Sequence, residues 1–183
     1  MARISYLGKD DVAEEHRRLL ERPIVLPQLL VHSPGALRAF SRLGGYIRSG
    51  SRLDPRLREM AILQVGWLAR SDYEFSHHCK LGLEEFGVSE DDIRAIATET
   101  AGERSGLPEL DRTVLLAARE MTEDLGISAP TFERLRQDLD EELTVDLIMA
   151  IAFYNGVVRV LASLEIDVEP EYQKYLDQFP FPD

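Results

Sequence analysis

The sequence predicts an all-α protein, and three observations support this fold class. Almost every segment repeats its apolar residues with helical period. Helix-start pairs such as Ser33-Pro34 and Asp54-Pro55 recur along the chain. No segment alternates apolar and polar residues in the way that predicts a half-buried strand. With 183 residues, 44% of them hydrophobic, the chain fits one domain with a substantial core.

The first third of the chain predicts three helices separated by breaks. Residues 10–21 are amphipathic, whereas residues 22–34 contain three prolines and predict only short turns. Ser33 and Pro34 are typical of an N-cap and first helical residue, for a helix that runs to about residue 49. Asp54-Pro55 begins a helix that is apolar on more than one side, so we expect it to be buried at the centre.

The remaining segments continue the helical pattern to the C-terminal tail. A helix is predicted from Ser71 or Asp72 to Gly87, a typical C′ glycine. Acidic residues after Ser89 favour another helix start. Further helices are predicted over residues 109–123, 128–139 and about 141–164. The aromatic, proline-rich tail is expected to lie on the body of the protein or on a partner subunit.

Composition excludes several classes of partner. The net charge of −12 argues against nucleic acid and anionic membranes, which bind clustered Lys and Arg. A single cysteine cannot form an internal disulfide and fits a reducing, cytoplasmic compartment. The N-terminus has no apolar run typical of a signal peptide. Polar residues interrupt the longest apolar stretch, residues 147–164, so we do not expect it to span a membrane.

The segment "ARSDYEFSHHCKLGLEEFG", residues 69–87, concentrates the reactive side chains. Glu74 and His78 are four residues apart and therefore share one helix face, as do Tyr73 and His77. Cys79 has no cysteine three residues away, which excludes a dithiol centre here, and it is expected to be a buried structural residue. The other histidines, at positions 16 and 32, are expected at the surface or at caps.

Glu59 adds a second carboxylate if the two central helices pack as a hairpin across the short link at Ser71. Glu59 would then point at the face that holds Glu74 and His78. Two carboxylates and an imidazole in a partly buried place can supply a general acid and a general base at neutral pH. The same Glu-x-x-x-His pair is also typical of a solvated contact on an exposed helix.

The stretch "REMAILQVGWLARSDYEFSHHCKLG" resembles the core motif of the carboxymuconolactone decarboxylase / alkylhydroperoxidase D-like superfamily. The redox branch of that superfamily has a glutamate followed by Cys-x-x-Cys-x-x-x-His. The resemblance puts the glutamate on Glu59, the two cysteines on Ser71 and Glu74, and the histidine on His78. It covers residues from about 26 to 170, including "IAFYNGVVRVLASLEIDVEP". Residues 1–25 are left as an N-terminal helical extension and 171–183 as a tail.

The resemblance implies an AhpD-like helical fold and acid/base chemistry rather than thiol chemistry. Both redox cysteines are absent, and Cys79 lies on another helix face, so a thiol peroxidase is not expected. The Glu-x-x-x-His pair is similar to the decarboxylase branch, which implies a lyase acting on a small carboxylated lactone. In this interpretation His78 shuttles the proton, Glu74 orients the His78 ring, and Glu59 relays a second proton.

The same resemblance suggests substrate contacts and partners. Tyr73 and His77 are expected to position the substrate, and Asn155 is expected to line the site. Substrate carboxylates require a cation, and the arginines nearest the motif segments are Arg58, Arg70 and Arg159. The implied partners are a small-molecule substrate and further copies of the chain, as a dimer, trimer or hexamer, with no cofactor.

Three alternatives remain open at this stage. Glu59, Glu74 and His78 could hold a divalent metal, although His77 and His78 point about 100° apart on a helix and cannot easily bind one ion. The chain could also be a non-catalytic oligomeric module that binds a ligand. Finally, an alkylhydroperoxidase or peroxiredoxin description could follow from the superfamily alone, without the thiol mechanism.

Overall fold

The computed structural model describes residues 1–182, and over these residues the chain forms helices and no strand. This confirms the all-α fold class. The nine α-helices of the described chain are α1 (Leu26–Leu30), α2 (Pro34–Gly45), α3 (Pro55–Leu68), α4 (Asp72–Glu84), α5 (Glu90–Thr100), α6 (Glu109–Glu123), α7 (Ala129–Asp138), α8 (Glu141–Leu164) and α9 (Gln173–Gln178).

Helix α3 is the centre of the fold, as its all-round apolar pattern predicts. Every residue from Leu57 to Trp67 is buried, and the helix packs against α4, α5, α6 and α8. Its two sides belong to different apolar clusters. Ala61, Ile62 and Val65 pack with side chains of α6 and α8, whereas Met60 and Leu63 pack with α4 and α5. The hydrophobic effect of both clusters therefore fixes α3.

Helices α3 and α4 form the predicted hairpin, and Gly66 allows their close approach. A Cβ at Gly66 would lie 3.3 Å from both the backbone N and the Cα of Phe75 on α4. Backbone atoms move aside less readily than a flexible side chain, so a Cβ here would push the two helices apart by a few tenths of an ångström. The hairpin brings position 59 of α3 opposite positions 74 and 78 of α4.

Helices begin at the predicted positions, but only some of the N-cap side chains form a capping hydrogen bond. Asp54 accepts the N–H of Leu57, and Ser89 forms a reciprocal capping box with Asp92. Ser33 and Ser71 occupy N-cap positions without a side-chain capping bond. Helix α2 continues as a π-helical turn over Tyr46–Gly50, close to the predicted end at residue 49.

Three boundaries differ from the sequence prediction. The helix expected over residues 10–21 is only a 3₁₀ segment over Glu14–Leu20, because it buries no residue that could stabilise a full helix. The proline-containing stretch expected as turns contains α1. Helix α4 ends at Glu84 rather than at Gly87, although Gly87 adopts the left-handed conformation, with φ of 76°, in the turn that follows.

The C-terminal tail lies on the body of the protein. A 3₁₀ turn over Pro170–Tyr172 leads directly into α9. Tyr172, Tyr175 and Phe179 are buried against the cluster that contains Met60 and Leu63. The tail thus completes the second apolar cluster.

Within residues 1–182, one helix is long and apolar enough to cross a membrane by length and composition alone. Helix α8 contains an 18-residue window of mean hydropathy 1.8, of which 44% is buried inside the protein. A core helix of a soluble protein passes the same test. Helix α8 packs against α3, α6 and α7.

Candidate functional site

The hairpin brings Glu59, Glu74 and His78 into one hydrogen-bonded cluster. Nδ1 of His78 lies 2.5 Å from Oε2 of Glu59, and its Nε2 lies 3.0 Å from Oε1 of Glu74. The three residues are buried, with 0%, 4% and 5% of their surface exposed. The sequence spacing therefore identified three groups that the fold places in contact.

The charge state of His78 follows from its two carboxylate partners. Burial disfavours the charged ring and lowers its pKa, but attraction by Glu59 and hydrogen bonds to Glu59 and Glu74 outweigh burial. Together they raise the pKa from 6.5 to about 9. This pKa makes His78 an imidazolium at neutral pH, with its Nδ1–H donating to Glu59 and its Nε2 in an ion pair with Glu74.

Arg58 lies behind this cluster and contacts Glu59 from the other side. Its Nε donates to Oε1 of Glu59 at 3.2 Å, and its guanidinium lies 4.6 Å from the ring centroid of Phe86. Only 1% of Arg58 is exposed, and its Nη2 has no hydrogen-bond partner among the described residues. Arg58 and His78 thus lie beside the two buried carboxyl groups, and such pairing reduces the cost of burying these four side chains.

Glu74 and His78 line a cavity of about 120 Å³, whereas Glu59 lies behind them. This volume suits a molecule of roughly ten non-hydrogen atoms. Tyr154 closes one side with its ring edge-on to His78, at a centroid distance of 4.9 Å. The remaining wall is mainly apolar and includes Leu19, Ile24 and Leu26 of the N-terminal segment, Phe40 of α2, and Phe153 and Val157 of α8.

The predicted substrate contacts Tyr73 and His77 also line this cavity. His77 stacks between Tyr73 and Tyr172, with ring centroids 3.9 and 3.5 Å away. Its Nδ1–H donates to the backbone oxygen of Tyr73 at 2.7 Å. Tyr172 lines the cavity as well, so the C-terminal tail contributes to the site.

Glu169 links both terminal segments to this stack. Its Oε2 lies 3.2 Å from Nε2 of His77, close enough for an ion pair but without the geometry of a hydrogen bond. Its other oxygen accepts the backbone N–H of Val25 at 2.8 Å. Burial raises the pKa of Glu169, but His77 and the Val25 N–H more than compensate and lower it overall.

Asn155 is not part of the cavity wall, contrary to the sequence expectation. Its Nδ2 donates to Oγ1 of Thr122 at 3.0 Å and to the oxygen of Ile151 at 3.2 Å. Its Oδ1 accepts from Arg159 at 3.0 Å. The buried amide therefore finds its hydrogen-bond partners inside the protein, beside the cavity rather than in it.

The arginines expected to face the substrate do not line the cavity. Arg58 is behind Glu59, Arg70 donates to the backbone oxygen of Pro182, and Arg159 is held by Asn155. The cations in the wall are instead Arg22 and Arg48, which sequence analysis missed. The motif gave no signal for either, because tertiary packing brings them to the cavity from the segments before α1 and after α2.

Cys79 is buried in the apolar core with no exposed surface. It packs in the cluster that contains Phe75 and Met60, and burial raises the pKa of its thiol. It does not line the cavity. Within residues 1–182, no group of three or more His, Cys, Asp or Glu side chains has the arrangement of a metal site.

Comparison with known proteins gives one family and several related folds. Residues 34–120 match the Carboxymuconolactone decarboxylase family. A solved AhpD-core structure, an uncharacterised peroxidase-related protein from Ralstonia eutropha JMP134, aligns with a TM-score of 0.79 at 18% identity, over 93% of this chain and 94% of its own. No curated protein matches the sequence significantly.

Two further solved structures share the fold. A protein of unknown function from Agrobacterium tumefaciens aligns with a TM-score of 0.68 at 22% identity, over 77% of this chain and 95% of its own. The debrominase Bmp8, solved in complex with 2,3,4-tribromopyrrole, aligns with a TM-score of 0.81 at 16% identity, over 98% of this chain and 100% of its own. At these identities the similarity concerns the fold.

Proposed function

The family match and the shared fold place this chain in the carboxymuconolactone decarboxylase / AhpD-like superfamily, and from this premise we propose that it is an acid/base enzyme. The substrate is a small carboxylated lactone, and the reaction is loss of CO₂ with protonation of the remaining carbon. The observation that carries the proposal is the imidazole ring of His78, held between the carboxyl groups of Glu59 and Glu74 in the wall of a small cavity.

In this reaction the C–C bond to the leaving carboxylate breaks and its electron pair passes into the lactone carbonyl. The product is CO₂ and a dienolate-like carbanion. His78 provides the proton that this carbon accepts, directly from Nε2 or through Glu74, which also faces the cavity. Such positioned proton transfers contribute roughly 10² to 10⁴ in rate.

Glu59, Arg58 and the apolar wall support the proton transfer by His78. Glu59 binds Nδ1–H of His78, so it fixes the orientation of the ring and favours its protonated form. Arg58 holds Glu59 in place from the far side. The apolar wall limits water around the carbanion, which strengthens the electrostatic interactions in the cavity.

Thiol chemistry is not part of the proposal, because the single cysteine is buried outside the cavity. A non-catalytic ligand-binding module remains the second candidate. The cavity is equally consistent with the binding module and with the enzyme, since both need a hollow site. The imidazolium between two carboxylates favours the enzyme.

Turnover of 4-carboxymuconolactone, followed by loss of its ultraviolet absorbance, tests the enzyme. We expect the native chain to be active and Glu74→Gln to lower kcat by roughly 10² or more, since the neutral amide cannot relay the proton. Glu85→Gln is the matched control, because Glu85 is exposed and lies outside the cavity.

Either of two results would count against this proposal. Absence of turnover by the native chain would remove this substrate and favour the binding module. Equal activity of Glu74→Gln and Glu85→Gln would remove Glu74 from the chemistry.

A further inference from the structure

Two arginines face the cavity from segments outside the α3–α4 hairpin. Arg22 precedes α1, and Arg48 lies in the π-helical turn that follows α2. Both line the cavity together with Glu74 and His78. Arg22 also lies outside residues 34–120, the segment that matches the family.

The side chains of Arg22 and Arg48 form no ion pair and no hydrogen bond with any residue that the structure describes. The chain nevertheless carries 33 acidic residues and a net charge of −12. Other arginines show the contrast, since Arg52 binds two carboxylates and Arg112 binds another two. Two guanidiniums without a carboxylate thus lie beside one cavity of a strongly acidic molecule.

The surroundings of Arg22 lower the pKa of its guanidinium, because Arg48 lies nearby and no carboxylate pairs with either arginine. Desolvation is the first cause that lowers the pKa of Arg22, and repulsion by Arg48 is the second. The residue as a whole is exposed, whereas protein atoms desolvate its guanidinium. Arg48 is half-buried. Both remain open to a ligand, and an anion bound between them would relieve the repulsion.

We propose that Arg22 and Arg48 form a carboxylate-binding subsite, which selects small organic acids whose apolar part fills the cavity beside His78. Guanidinium groups match carboxylate oxygens in shape and charge, and two of them can bind one carboxylate from both sides. The apolar wall cannot replace the hydration shell of an inorganic anion, so an organic acid with an apolar part is the better ligand. The position beside His78 rests on the proposed function, whereas the anion subsite itself does not.

The subsite binds the carboxylate that the substrate retains. Strong pairing of the leaving carboxylate with two arginines would stabilise its charged ground state and oppose the loss of CO₂. The leaving carboxylate then lies at the end of the cavity that contains Glu74 and His78. There it contacts a carboxyl group and a proton donor rather than two arginines. The arginines therefore set the orientation of the substrate as well as its class.

Calorimetric titration with benzoate and with uncharged benzamide tests the subsite without any turnover. We expect the native chain to bind benzoate at least tenfold more tightly than benzamide. Arg22→Gln and Arg48→Gln should each weaken benzoate binding by about tenfold or more. Benzamide binding should not change, which shows that the cavity is intact in the variants. Arg18→Gln is the matched control, since it removes the same charge from an exposed residue outside the cavity.

Several results would overturn the subsite. They are the absence of saturable benzoate binding, equal affinity for benzoate and benzamide, and an equal loss of benzoate binding in Arg18→Gln. Inorganic phosphate binding as tightly as benzoate would overturn the selection of organic acids. If 4-carboxymuconolactone is not turned over but benzoate binds as expected, the proposed reaction fails while the subsite stands.

Discussion

His78 shows how two partners reverse the usual effect of burial on a histidine. Burial alone would make the ring neutral and suited to accept a proton. Hydrogen bonds to Glu59 and Glu74, which come from different helices, instead hold it protonated. At neutral pH the site therefore contains a proton donor, with a carboxylate on either side as the route for its replacement.

The pKa of His78 can be measured by NMR titration of its ring protons. We expect a value near 9 in the native chain, and a lower value in Glu59→Gln because the first attractive partner is then neutral. The exposed His32 is an internal reference in the same spectra, because its ring contacts the backbone oxygen of Ser5 rather than Glu59 and should not respond. A His78 ring that is neutral at pH 7 in the native chain would contradict the assignment.

The same shift predicts the dependence of stability on pH. The pKa of His78 in the folded chain, about 9, is above its ordinary value of 6.5, so the stabilisation is fully present below about pH 6.5 and is lost as the pH rises through 9. The amount is on the order of 3 kcal/mol. Urea unfolding at pH 6.5 and pH 9.5 should show this loss in the native chain and a smaller one in Glu59→Gln.

At the residue scale, sequence could identify the groups that share a helix or a motif. Glu74 and His78 follow from helical spacing, and Glu59 follows from the motif. Arg22 and Arg48 could not be identified, because only tertiary packing brings their segments to the cavity. Asn155 was assigned to the site for a sound reason, its need for partners, but helix α8 and its neighbours satisfy that need internally.

At the scale of elements, the site depends on how closely α3 and α4 approach each other. Gly66 lies where α4 crosses α3, and its missing side chain permits contact with the backbone of Phe75. The contact between Glu59 and His78 joins the two helices at 2.5 Å, so a separation of the helices would lengthen and weaken it. Gly66 and the cluster of Glu59, Glu74 and His78 are thus coupled through the hairpin.

Gly66→Ala tests this coupling. The added Cβ would lie 3.3 Å from backbone atoms of α4, which must shift by a few tenths of an ångström, so we expect a loss of roughly 1–3 kcal/mol in the free energy of unfolding and a lower His78 pKa. Gly35→Ala is the control, since a Cβ at Gly35 in α2 meets nothing within 4 Å. Equal stability of Gly66→Ala and Gly35→Ala would show that the crossing tolerates a side chain.

The accuracy of the predicted elements follows from what stabilises each one. Helices that bury an apolar face, such as α3, α6 and α8, were predicted close to their observed bounds, because periodic burial is visible in sequence. The segment over Glu14–Leu20 has a similar pattern but buries no residue, so it forms only a 3₁₀ segment. The end of α4 shifted by one turn because Gly87 ends the following turn rather than the helix itself.

At the scale of the whole molecule, the N-terminal and C-terminal segments both contribute to the cavity wall. Arg3 pairs with Glu165 just beyond α8, and Tyr6 donates to Asp167. Glu169 then holds Val25, the residue before α1. These contacts fix the N-terminal segment that carries Arg22 against the C-terminal segment that carries Tyr172. The site is therefore assembled from segments that are far apart in sequence, around a hairpin that the motif identifies.

One face of α8 remains uncovered in the single chain. Val145, Met149 and Val160 are 57%, 40% and 37% exposed, and with Ala152 and Gly156 they form one charge-free stripe along the helix. Such a stripe on a molecule of net charge −12 suits a second copy, because no like charges meet across it. Antiparallel pairing about a two-fold axis between Ala152 and Phe153 would place Met149 of one copy opposite Gly156 of the other.

We therefore expect the native chain to sediment as a homo-oligomer, with a mass that is a multiple of 20.8 kDa. Met149→Glu should shift it to the monomer, because burying two carboxylates at the contact costs more than an exposed apolar stripe. Leu125→Glu is the control, since Leu125 is 92% exposed and lies off the stripe. A monomeric native chain would show that this face has no copy of the chain as its partner. Dissociation by Leu125→Glu as well would attribute the effect to added charge rather than to α8.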